Sequence, residues 1–188
     1  MCEPEPDLWV WRHPRARGAG GRCIGRTDLA VDRRRAKRLA HRIRQTARRH
    51  RLARVLFTSP LQRGADVGRW LRRWGWVHRI VPALLEMDFG TWDGRPWTDI
   101  AKSEVDAWCD DFALHRPGQG ESLALMLQRV AAWPPPAGAC IVGHGGWMLA
   151  WQWLASGRAP PLRAADWPAA PRHGVCWRLP SQLSGTTC

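Results

Sequence analysis

The sequence lacks any close pair of cysteines. Its six, Cys2, Cys23, Cys109, Cys140, Cys176 and Cys188, are scattered along 188 residues, which excludes both the ligand spacing of a zinc site and a tight redox pair. They read as reduced thiols, several of them buried. Tyrosine is absent and lysine occurs only at Lys37 and Lys102, so the net charge of +13 is carried almost wholly by arginine. Arginine in the company of abundant Trp, Pro, Gly and Ala is what a GC-rich coding bias produces, so part of the charge is compositional. A basic surface attracts nucleic acid, anionic membrane or small acidic substrates without choosing among them. No positive segment followed by an apolar stretch opens the chain. Met1 to Asp7 is acidic and contains proline, so no secretory leader is expected and a cytoplasmic location is. No internal repeat is visible, and the length fits one domain with a sizeable core.

Apolar runs are short. Leu8–Trp11, Arg54–Thr58 and Ala139–Gly143 each end at a loop signal, the pattern of buried parallel strands. Between the first two, Ala36, Leu39, Ala40, Ile43 and Ala47 recur at helical spacing within Arg33–Arg51, against a face of Arg, Lys and His. Strand, helix and strand in this order make a βαβ unit. Further helices are predicted over Leu61–Trp74, Trp97–Phe112 and Glu121–Trp133, the last stopped by Pro134-Pro135-Pro136. His78–Val81 is expected as a strand and Gly174–Leu179 as an edge strand. The segment from Gly157 onward is otherwise poorly periodic. Ala137–Gly157 carries no formal charge and competes as a membrane span, but His144 and the Gly145-Gly146 pair suit a strand, a loop and a helix better. No membrane partner is expected. The fold class read from this pattern is α/β: a single-domain three-layer sandwich, a mostly parallel sheet with helices on both faces. Its site is expected at the carboxyl ends of the strands. Residues 1–7 and 180–188 are expected to be flexible ends, and 88–120 a cap beside the sheet.

Two histidines, His13 and His144, stand where predicted strands release into loops. The words around them are distinctive: Trp11-Arg12-His13-Pro14, Arg22-Cys23-Ile24-Gly25-Arg26-Thr27-Asp28, Thr58-Ser59-Pro60-Leu61-Gln62-Arg63, Glu86-Met87-Asp88-Phe89-Gly90-Thr91-Trp92-Asp93-Gly94 and Gly143-His144-Gly145-Gly146. Together they resemble the histidine phosphatase (phosphoglycerate-mutase-like) superfamily, and most of all its α-ribazole phosphatase branch, over about Leu8 to Trp151.

The resemblance implies a phosphomonoesterase that works through a phosphohistidine and needs no metal or other cofactor. It makes His13 the nucleophile, Arg12 and Arg63 the clamp on the phosphoryl oxygens, His144 a further donor to them, and Glu86 the acid that protonates the leaving alcohol. Gly25 and Arg26 are expected to bind substrate. The partner implied is a small phosphorylated metabolite, α-ribazole 5′-phosphate of cobalamin biosynthesis on the branch reading, with a phosphoglycerate-mutase-like or general sugar or nucleotide phosphatase as the alternative. Two other classes compete: an inactive, phosphate-sensing member of the fold, and an arginine-rich nucleic-acid-binding domain. The second lacks a reading motif and stacking positions, so no nucleic acid partner is expected. The sequence departs from the family at Pro14, where glycine is usual, and at Arg15-Ala16-Arg17, where many relatives carry an asparagine that touches phosphate.

Overall fold

The computed structural model describes residues 5–183. Five strands form one sheet: β1 (Leu8–Arg12), β2 (Val55–Thr58), β3 (Val77–Ile80), β4 (Cys140–Gly143) and β5 (Cys176–Leu179), in the order β3-β2-β4-β1-β5. The first four run parallel and β5 is an antiparallel edge. Strand β4 is buried along its whole length, because it is the central strand and is covered on both faces.

Alternation along the strands divides the core. Leu8, Val10 and Ile141 point to one side, into a cluster with Leu123, Met126 and Trp147. Trp11, Cys140 and Val142 point to the other, toward Leu39, Ile43 and Leu71. The first layer is built by α4 (Leu123–Ala131) and α5 (Gly145–Ala155), the second by α1 (Arg33–His50) and α2 (Gln62–Arg73). This is the expected three-layer sandwich. The apolar stripe predicted for α1 is its buried face, residue for residue.

The helices differ from expectation at their ends, α4 being two residues shorter at each. Predicted Trp97–Phe112 divides into a 3-10 turn at Trp97–Asp99 and α3 (Lys102–Asp110), separated by Ile100 and Ala101 in extended backbone. Helix α2 starts at Gln62 with Leu61 at its cap position, which has no side chain able to bond the first N–H groups. Asp28 supplies the acceptor from a distant loop, taking the Gln62 N–H at 2.7 Å. The uncharged stretch 137–157 resolves into a loop, β4 and the eleven-residue α5, and no helix among the described residues is long and apolar enough to cross a membrane.

Of the two segments expected to be flexible, residues 1–4 and 184–188 lie outside the described residues. Inside them, Pro6 accepts the Gly138 N–H, Asp7 pairs with Arg178 at 2.8 Å, and the Pro180 carbonyl accepts from Trp151 Nε1.

Candidate active site

The register of the sheet brings the two histidines together. Arg12 on β1 is paired with Gly143 on β4, so the next residues, His13 and His144, leave adjacent parallel strands side by side. Their ring centroids are 5.0 Å apart. Ser59 follows β2 and Glu86 follows the 3-10 turn Pro82–Leu84 beyond β3. All four stand at the carboxyl edge of the sheet, beside a cavity of about 430 Å³ that His13, Arg12, Arg63 and Glu86 line.

His13 is 6 % exposed. Its Nδ1 lies 2.7 Å from the carbonyl oxygen of Pro14, an acceptor only, so the ring proton sits on Nδ1 and the lone pair is left on Nε2. Burial, helped by the charge of Arg63, holds the imidazole well below its usual range, and the ring is neutral at pH 7. Pro14 therefore contributes through its carbonyl, which needs no N–H.

The guanidinium of Arg63, on the first turn of α2, is almost wholly buried. Nε donates to His144 Nδ1 at 3.2 Å, one terminal nitrogen to Thr27 O at 2.7 Å, and the other to Gly25 O. Each terminal nitrogen has one further N–H, and Arg63 lines the cavity. Arg12 donates to Pro171 O at 2.6 Å, while its buried Nε has no partner in the protein. Burial lowers both guanidiniums from their usual range, and the charge of Glu86 opposes it. Two cations and one carboxylate thus share a half-closed space, an excess of positive charge that suits an incoming anion.

Glu86 is held at the start of α5. Gly146 N–H donates to Oε2 at 3.0 Å, and the Met87 N–H to Oε1 at 3.1 Å. A Cβ on Gly146 would stand 2.3 Å from Oε1, so a side chain there would push the Glu86 carboxylate from its place. The strand-to-helix stretch before Glu86 is fixed by Arg129, which donates to Ala83 O and Leu85 O while gripping both oxygens of Glu121 at 2.8 Å.

Three of the expected site residues, His144, Gly25 and Arg26, are not part of the cavity lining. His144 is fully buried and lies behind the cavity wall: Nε2 is 2.7 Å from Ser59 Oγ and Nδ1 accepts from Arg63. Its Nδ1 is taken by Arg63 and its Nε2 by Ser59, so neither ring nitrogen is free in this structure. Gly25 and Arg26 do not line the cavity either. Asp93 accepts the N–H groups of Gly25, Arg26 and Thr27, and the Arg26 guanidinium pairs with Asp88 at 3.0 Å. The two longest words of the sequence therefore hold each other, and Gly25 serves the site by accepting from Arg63. Arg17, adjacent to the missing asparagine, pairs with Asp32 and offers the cavity nothing.

Sequence reasoning missed His173. Its Nδ1 is 3.2 Å from the carbonyl oxygen of His13, the two rings are 5.2 Å apart, and it lines the cavity. It stands in the poorly periodic segment, where no pattern marks it. Also unforeseen are the aromatic residues Phe89, Trp97, Trp108, Phe112 and Trp167 in the cavity lining. The buried Trp108 Nε1 has no partner in the protein.

Comparison with known proteins places this geometry. A Thermus thermophilus protein is 24% identical with a TM-score of 0.67, covering 92% of this chain and 98% of that one. A mycobacterial glucosyl-3-phosphoglycerate phosphatase in complex with VO3 is 24% identical with a TM-score of 0.70, over 91% and 89% of the two chains. A second structure described as a mycobacterial hydrolase is 26% identical with a TM-score of 0.66, over 85% and 75%. A search of the curated proteins found no match. A family profile, the histidine phosphatase superfamily (branch 1), matches residues 8–167. A match over most of the chain, on the fold just described, makes this protein a member of the histidine phosphatase superfamily.

Proposed function

We propose that the chain is a metal-independent phosphomonoesterase that transfers a phosphoryl group to His13. The observation that carries this reading is the neutral imidazole whose Nδ1 is tied to Pro14 O, beside two cations with donors to spare. The Nε2 lone pair attacks phosphorus as the bond to the leaving oxygen breaks. The charge spreading over the phosphoryl oxygens meets Arg12 Nε and the free N–H groups of Arg63. Glu86 gives its proton to the departing alkoxide. It then takes one from the water that attacks the phosphohistidine, whose P–N bond breaks to release inorganic phosphate. His144 positions Arg63 and does not touch the phosphoryl group.

The leaving group of this reading is a nucleoside with a flat, weakly polar base, as in α-ribazole 5′-phosphate. Support comes from the five aromatic residues of the cavity lining, which offer stacking area, and from the unpartnered Trp108 Nε1, which offers one donor. A small, highly charged sugar acid gains little from such a lining, although one structural neighbour is a glucosyl-3-phosphoglycerate phosphatase.

The test has two arms. Brief incubation with labelled phosphoester followed by alkaline quench is expected to leave acid-labile label on the wild type and none on His13→Ala, with turnover unaffected by chelator. Label retained on His13→Ala, or turnover lost to the chelator, would sink the mechanism. Among substrates, α-ribazole 5′-phosphate is expected to exceed 3-phosphoglycerate in kcat/KM by at least about tenfold, the scale of one buried stacking contact.

A further inference from the structure

We propose that the chain carries a second anion site, next to the catalytic cavity and distinct from it, that binds a small polyphosphate. It lies where α1 meets the loops after β1 and before β5. Arg35, Arg38, His41 and Arg42 face Arg15, Pro14 and His173 across a pocket of about 530 Å³ that no Asp or Glu lines.

The charge there has no internal answer. Helix α1 contains no acidic residue, so its arginines three and four apart repel one another, at roughly 0.2–0.5 kcal/mol per pair. Those at its amino end also oppose the helix dipole. Among the described residues the guanidiniums of Arg15, Arg35 and Arg38 make no hydrogen bond or ion pair within the protein. Arg42 is different: it reaches over Gly174 and donates to its carbonyl at 2.7 Å. Gly174 has φ of +75° and a Cβ there would lie 2.6 Å from Arg42 Nη2, so the backbone makes room for this arm. His41 is turned onto Trp74, 4.4 Å between centroids, and does not present a stacking surface.

Concavity selects the ligand. Four arginines lining one pocket fit several phosphate groups close together, each oxygen taking charge-assisted N–H donors. A nucleic acid strand presents its phosphates in a line and rewards aromatic stacking, and neither matches this surface. Pro14 and His173, the two residues that hold His13 through their hydrogen bonds, also form part of the wall, which puts the pocket immediately behind the nucleophile.

The experiment is calorimetric titration of the full chain with inorganic triphosphate, with saturating orthovanadate present to occupy the catalytic cavity. Arg35→Ser/Arg38→Ser is compared with Arg48→Ser/Arg49→Ser, which removes equal charge from the far end of α1, and far-UV circular dichroism checks folding. Because each charge-assisted bond is worth about a factor of ten, the first variant is expected to lose affinity by ~10-fold or more and the second by less than ~2-fold. No binding in the parent, equal losses in both variants, or no loss in the first would overturn the site. Tighter binding of a single-stranded RNA oligomer than of triphosphate, weakened alike in both variants, would overturn it in favour of a nucleic-acid face.

Discussion

A guanidinium is required at position 63 because three of its donors are already committed to holding it in place. Lysine reproduces the charge but not the simultaneous contacts to Gly25 O, Thr27 O and His144. Arg63→Lys is expected to lower kcat by ~100-fold, the usual cost of losing one preorganised donor. Wild-type turnover in that variant would remove Arg63 from the transition state. Glu86 is tested through the leaving group. An alkoxide departs only if protonated, whereas a nitrophenolate needs little help. Glu86→Gln is thus expected to slow hydrolysis of an alkyl phosphate far more than that of an aryl phosphate, provided single-turnover trapping shows that phosphohistidine formation limits both. Equal losses under that condition would assign the proton to another group.

At the scale of elements, the site depends on how helices begin. Helix α2 borrows Asp28 as its cap and so fixes the turn that carries Arg63, while α5 begins with Gly145-Gly146 and receives Glu86 on the Gly146 N–H. Gly146→Ala separates these roles. The position is helical, where alanine is favoured over glycine by about 1 kcal/mol, yet the new methyl would collide with Glu86 Oε1. Hydrolysis of an alkyl phosphate is expected to fall by at least ~10-fold with the thermal midpoint unchanged or raised, since a displaced acid costs rate and not packing. Undiminished activity would show that the Glu86 carboxylate does not need its place on α5.

For the whole molecule, stability should follow the buried histidines. His13, His78, His144 and His173 are all lowered from 6.5, chiefly by burial. As pH falls through about 6.5 the unfolded chain takes up these protons while the folded one does not. The unfolded state then binds more protons, so stability is complete above that pH and is lost progressively below it. The urea midpoint is expected to drop between pH 7.5 and pH 5.5, and equal midpoints would show that the four rings are not held neutral by the fold.

Much of this was legible beforehand, and the reasons are physical. Apolar alternation and 3.6-residue periodicity are properties of contiguous residues, so the strands, the buried stripe of α1 and the sheet's class could be read directly from the chain. The stops before His13 and His144 marked the edge on which chemistry sits, because parallel strands end in loops there. What the chain order could not express was partnership across distance. Gly25 and Arg26 looked like ligands of substrate until Asp93, 67 residues after Arg26, was seen to take their N–H groups. His144 looked like a donor to phosphate until Ser59 and Arg63 claimed its two nitrogens. His173 and Trp167 lie in the poorly periodic segment after Gly157, and Trp97, Trp108 and Phe112 in a predicted helix whose placement beside the cavity no local pattern expresses; only the tertiary fold brought them together. Local sequence determines which face of an element is buried; which polar groups finally satisfy one another depends on the packing of elements far apart in the chain, and that was decided by the tertiary structure alone.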